Sequence, residues 1–142
     1  MLDTTMYGPG TLDPASKRRS VYFTVKRSQL IPMMVVFDAP EALTPIGDRS
    51  TTTVAPQALM LMNNPQVRDY AAALSRRAPD VRAAYRITLG RDPSEAEARD
   101  AEAFIADQAA AYQSAGRTDA RALAMEDFCQ SLMCLNEFVY VD

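Results

Sequence analysis

The stretch Arg49-Ser-Thr-Thr-Thr-Val-Ala-Pro-Gln-Ala-Leu-Met-Leu-Met-Asn-Asn-Pro65 carries a helix with a legible start and stop. Thr51, Thr52 and Thr53 offer hydroxyls for capping. Pro56 suits the first helical turn, where a missing N–H is no loss. Ala58, Leu59, Met60, Leu61 and Met62 are apolar on every side, the pattern of a helix buried all round. Asn63-Asn64-Pro65 ends this helix and opens the next, with Asn64 as N-cap and Pro65 at N1. The reading makes this stretch the central element on which later apolar stripes pack.

Working downstream, Val67, Tyr70, Ala71, Leu74 and Ala78 recur at helical spacing, opposite Arg68, Asp69, Arg76 and Arg77. After the break at Pro79, Val81, Ala84, Tyr85 and Thr88 mark a second stripe, and Gly90 is placed to be its C′ residue. Ser94 and Glu97 have the spacing of a capping box. The helix they open carries Ala98, Ala101, Phe104, Ile105, Ala109 and Tyr112 on one face, and Gly116 stops it. A last helix is expected from about 119 to 136, with Met125, Phe128, Cys129, Leu132 and Leu135 as its stripe. Met133 and Cys134 widen that stripe, so the helix is expected to be nearly all buried.

Working upstream, Ile31-Pro-Met-Met-Val-Val-Phe37 is expected to form a short helix from Pro32, closed by Asp38-Ala-Pro40. Val21, Phe23 and Val25 alternate with Ser20, Tyr22, Thr24 and Lys26, the two-residue period of a half-buried strand. A lone strand is unstable, and 138–141 (Phe-Val-Tyr-Val) is the one suitable partner in this chain. Residues 1–18, with Gly8, Pro9, Gly10 and Pro14, are expected to be irregular. The fold class is therefore mostly α: a single domain over 1–142, with five to six helices and short terminal strands that pair.

Composition narrows the chemistry. The chain has 142 residues, 48% hydrophobic and 23% charged, which is enough for one domain with a real core. Its net charge of −3 is unevenly spread: residues 1–91 hold 12 basic against 7 acidic side chains, and 92–142 hold 3 against 11. The halves either attract one another, face water, or leave the basic half to meet an acidic partner. Histidine is absent, which excludes His-dependent nucleophilic catalysis, His-ligated zinc and Cys-x-x-Cys-His haem attachment. Cys129 and Cys134 are five apart, about 140° around a helix. They read as buried small hydrophobes, not as a disulfide or a metal site. The first residues lack the basic and apolar regions of a signal peptide. The apolar run at 31–37 is too short to span a bilayer.

Candidate chemistry is sparse. Glu95, Glu97, Asp100, Glu102, Asp107, Glu126 and Asp127 mostly lie opposite the apolar stripes and read as solvated helix faces. Glu126-Asp127 borders a core stripe, yet adjacent helical residues do not converge on one substrate atom. Asp38, Asp48, Arg49, Thr51, Thr52 and Thr53 flank the first long helix and form the candidate ligand or interaction site, in competition with self-capping of that loop. Arg68, Arg82, Arg86 and Arg91 are suited to phosphate or acidic sugars, although pairing with acidic helices of the same domain is more economical. The basic segment 17–27 leaves only Tyr22 as an outward ring, so nucleic acid is not expected as a partner. No Walker, dinucleotide, zinc or EF-hand spacing occurs.

One resemblance spans the segments in series. Arg18-Arg-Ser-Val-Tyr22, Phe37-Asp-Ala-Pro40, Thr52-Thr-Val-Ala-Pro-Gln-Ala-Leu59 with Asn63-Asn-Pro65, Ala84-Tyr-Arg-Ile-Thr-Leu-Gly-Arg91 and Leu135-Asn-Glu-Phe-Val-Tyr-Val-Asp142 follow in this order. From about residue 6 to 142 the chain resembles the C-terminal part of the planctomycete secreted domain, type 1 (domain of unknown function 1553), as found in planctomycete cytochrome C domain-containing proteins. The resemblance implies a C-terminal fragment of a larger, exported, multidomain protein, with upstream domains of that protein as partners. It implies haem only in those upstream domains and no cofactor here. No catalytic residues are established for the domain, so none is carried over. The expected role is a non-catalytic structural or interaction module, with an apolar patch exposed near residues 21–25 or 33–37. The alternative is a partial ligand- or polysaccharide-binding or enzymatic site completed by upstream residues.

Overall fold

The computed structural model describes residues 32–37 and 54–140. Its chain divides into two compact units, Met1–Gln57 and Ala58–Asp142, and the boundary falls inside a helix. The protein is mostly α. Seven helices occur among the described residues: α1 (Pro32–Val36), α2 (Val54–Asn63), α3 (Pro65–Arg77), α4 (Val81–Leu89), α5 (Glu95–Ser114), α6 (Ala120–Met133) and α7 (Asn136–Val139). No strand occurs among these residues. The expected strand at 20–26, the irregular segment 1–18 and the candidate site Asp38, Asp48, Arg49, Thr51, Thr52 and Thr53 lie outside them.

The local signals set most helix boundaries. Asn64 is extended and accepts the Gln66 N–H at 2.8 Å, with Pro65 at the first helical position of α3. Asp80 caps α4 by accepting from the Ala83 N–H at 2.7 Å, and Gly90 closes it with φ 73°, a left-handed conformation that costs glycine nothing. Ser94 and Glu97 form the reciprocal capping box of α5: the Glu97 N–H donates to Ser94 Oγ, and the Ser94 N–H donates to Glu97 Oε2.

In the second unit the core is built around α6, which touches α3, α4, α5 and α7. Leu74, Val81, Tyr85, Ile105, Phe128 and Leu132 supply its bulk. Between them lie Ala71, Ala84 and Ala124, each with no exposed surface. Small residues at such positions let helix axes approach closely. The Tyr85 and Phe128 rings meet at 6.3 Å and 36°. α6 is apolar around much of its circumference because it has neighbours on several sides.

Several expectations change: Tyr70 and Phe104, expected on buried stripes, are 48% and 36% exposed. The helix at 54–63 is not buried on every side: Leu61 is 8% exposed, but Leu59 and Met62 are 59% and 60% exposed. Nor is it the centre of packing, which belongs to α6. A central position requires neighbours, and an apolar sequence alone does not supply them. The predicted helix at 119–136 stops at Met133, and Leu135 turns outward at 39% exposure. The expected strand at 138–141 is replaced at Phe138 and Val139 by α7. There the Phe138 N–H donates to Leu135 O at 3.0 Å and the Tyr140 N–H to Asn136 O at 2.8 Å. A helical turn satisfies these amides locally, whereas a strand would need a partner edge.

In the first unit, α1 adopts the predicted helical turn from Pro32. Near its end the Gln57 side-chain amide donates to Val36 O at 3.0 Å.

Candidate functional site

The arginines of the second unit are largely spent within it. Arg68 on α3 donates from Nη1 to Asp127 and, at 3.2 Å, to Gln130 Oε1, and lies 3.7 Å from Glu126 through Nη2. Asp127 also accepts the Tyr112 hydroxyl at 2.8 Å, which draws α5 into the same cluster. Gln130 then donates to the carbonyls of Leu61 and Met62, at 3.2 and 2.9 Å. These are two of the carbonyls that a helix ending at Asn63 leaves without a partner, so α6 supplies the C-terminal cap of α2. Glu126 and Asp127, adjacent on α6, do converge after all, on two nitrogens of one guanidinium instead of on a substrate atom.

A second hub is Arg91, just beyond α4. Nε and Nη2 donate to the two carboxylate oxygens of Glu137 at 2.7 and 2.8 Å. Nη1 and Nη2 donate to Glu97 at 2.9 and 2.7 Å. The guanidinium also lies 5.4 Å from the centre of the Tyr85 ring, within cation–π range. Arg91 and then the Ser94 cap hold the Glu97 carboxyl down at about 2. Glu137 is lowered by the same arginine. Arg86 is paired with Asp92 by two hydrogen bonds, at 2.5 and 2.9 Å. Arg82 reaches that carboxylate at 4.0 Å. Pairing inside the domain thus accounts for Arg68, Arg82, Arg86 and Arg91.

Cys129 is fully buried, and burial followed by the nearby Glu126 charge pushes its thiol up to about 11. Cys134 is half-buried and free, its thiol also raised by burial. Cys129 is thus the buried small hydrophobe expected, whereas Cys134 is only partly covered. Among the described residues no group of three or more His, Cys, Asp or Glu side chains could hold a metal ion. No helix there is long and apolar enough to cross a membrane.

An open groove of about 570 Å³ lies in the second unit, between the α3–α4 turn, α5 and α6. Ala78, Val81, Ile105 and Met125 give it an apolar floor. Arg76, Arg121, Asp80, Glu102 and Glu126 add charge around it. Asp80 is committed to its cap and Glu126 leans toward Arg68. Arg76 and Arg121 form no hydrogen bond or ion pair among the described residues, and with Arg77 are the only arginines there that form none. The groove leaves no local mark in the sequence, because its walls come from separate segments, each with an ordinary amphipathic pattern. The unmatched charges at Arg76 and Arg121 could be found only once the other arginines had been assigned partners.

Fold and site together define a helical protein whose described polar side chains chiefly tie its own helices together. The chain belongs to the family described as PSD1, protein of unknown function (DUF1553), whose model matches residues 3–105. The match takes in α1 to α4 and the first half of α5, and the motif at 135–142 lies beyond it. No curated protein and no solved structure matches the chain.

Proposed function

We propose that the chain is a non-catalytic interaction module of a larger, exported protein, working by holding other parts of that protein or a partner chain. The observation that carries this reading is the apolar surface that α2 leaves uncovered. Leu59 and Met62, three residues apart on one helical face, are 59% and 60% exposed. Helices that dock into grooves present anchors at this spacing. α1 supports the reading separately: Met33, Met34, Val36 and Phe37 are only half-buried and Val35 is exposed. The described polar groups also favour it, since the hydrogen-bonded clusters at Arg68 and Arg91 are consumed in joining helices.

Sedimentation and dye binding on the purified chain test the proposal. The wild-type chain is expected to self-associate in the micromolar range or to bind an apolar dye such as ANS. The double variant Leu59→Ser/Met62→Ser is expected to lose both properties while keeping its helical circular dichroism. A wild-type chain that stays monomeric and binds no dye would overturn the reading.

A further inference from the structure

We infer that the groove between the α3–α4 turn, α5 and α6 takes an acidic peptide segment of a partner chain, its carboxylates held by Arg76 and Arg121 and an apolar side chain seated on Ile105 and Met125. Its volume of about 570 Å³ is enough to seat a short stretch of side chains, and the groove is open to solvent along its length. The charge argument follows from what the neighbours already use. Asp80 is taken by the Ala83 N–H, and Glu126 lies 3.7 Å from Arg68, which leaves Glu102 as the one carboxylate of the lining with no bond of its own. Against it stand two arginines with no partner, so the unspent charge of the groove is positive.

Guanidinium groups pair with carboxylates through parallel N–H···O bonds, and two of them at one groove select a ligand with at least two acidic groups. The apolar floor selects against a bare inorganic anion, which would leave it covered by nothing. An oligosaccharide is disfavoured as well, because the lining contains no aromatic ring on which a sugar face could stack. Glu102 is placed to accept a backbone N–H of the bound segment, and it opposes a third carboxylate. The site stands apart from the exposed face of α2, so its test does not depend on the fate of that proposal.

Fluorescence anisotropy with a fluorescein-labelled peptide of alternating Glu and Leu provides the measurement. The wild-type chain is expected to bind it saturably at low ionic strength and more weakly as salt is added. Arg76→Glu/Arg121→Glu is expected to weaken binding at least tenfold, with unchanged circular dichroism and thermal midpoint because both side chains are exposed. Leu59→Ser/Met62→Ser is expected to leave the affinity unchanged. No saturable binding, equal binding by the Arg76/Arg121 double variant, or tighter binding of the Lys-for-Glu peptide would overturn the inference. So would displacement of the probe by an oligouronate at lower concentration than by unlabelled peptide.

Discussion

The Tyr112 hydroxyl and the Asp127 carboxylate, from α5 and α6, lie 2.8 Å apart, and the carboxylate's other oxygen accepts from Arg68 on α3. One half-buried acid therefore joins three helices. Removing it with Asp127→Ala leaves the Tyr112 phenol without its acceptor and Arg68 with only Gln130 and Glu126, at a cost of about 1–3 kcal/mol. Tyr112→Phe is expected to cost less, since only one bond is lost. In urea unfolding of the two single variants and the double variant, a coupling of about 0.5–3 kcal/mol is expected. Strict additivity would show that the contact carries no stability.

Acid should loosen the junction of α4, α5 and α7. The Glu97 carboxyl moves from its ordinary value near 4.5 to about 2 on folding, and Glu137, Asp92 and Asp119 are lowered in the same direction by their arginines. Depressed carboxyl pKa values mean that the folded state binds protons less readily than the unfolded one. Their contribution is complete above the ordinary carboxyl values and disappears as pH falls through the folded ones. Thermal midpoints should therefore be level near neutrality and fall as the pH drops below about 4.5. Glu97→Gln should flatten that fall, and an unchanged acid slope in this variant would refute the assignment.

The two thiols should differ in reactivity. Cys129 is inaccessible with its thiol raised to about 11, while Cys134 is partly exposed. Only the thiolate attacks a disulfide reagent. At pH 8 the native chain is expected to release one equivalent from a chromogenic disulfide, assigned to Cys134 by Cys134→Ser. The second should appear only on unfolding. Rapid release of both would contradict the packing around Cys129.

Core and surface apolar residues should part company on substitution. Phe128 is 4% exposed and packs on Tyr85, so Phe128→Ala is expected to cost about 3–5 kcal/mol. Leu59→Ser, at a position 59% exposed, should change stability by no more than about 0.5 kcal/mol. Denaturant midpoints measure both. Similar losses would mean that α2 is covered in solution.

Gly90 offers a backbone test. A Cβ there would meet no atom within 4 Å, so Gly90→Ala isolates the cost of φ 73°. About 1 kcal/mol is expected. Gly90→Asn should cost less, because asparagine tolerates the left-handed region.

Much of the helical layout was legible because it rests on short-range chemistry. Asn64-Pro65, Gly90 and the Ser94–Glu97 box each act within four residues, and each marks an observed helix end. The stripes are buried at Val67, Ala71, Leu74 and Ala78 and at Val81, Ala84 and Tyr85, as their spacing required, but Tyr70 of the first is 48% exposed. The failures have a common cause. Leu59, Met62, Leu135 and Phe138 are apolar, but apolarity states only that burial would be favourable. It does not state that a neighbour is there. The candidate site was less legible still: Arg68 and Asp127 are 59 residues apart, and nothing local joins them.

The sequence by itself determined that this protein is helical, where most of its helices begin and end, and which family it resembles. Those properties follow from capping, turn conformations and a 3.6-residue period, all of which act along the chain. Only the tertiary structure decided that α6 and not α2 is the hub, that Glu97 and Glu137 meet on Arg91, and that Arg76 and Arg121 are left over beside a groove. Such pairings are set by which helix faces come together, because a charge is matched or unmatched only with respect to its neighbours in space.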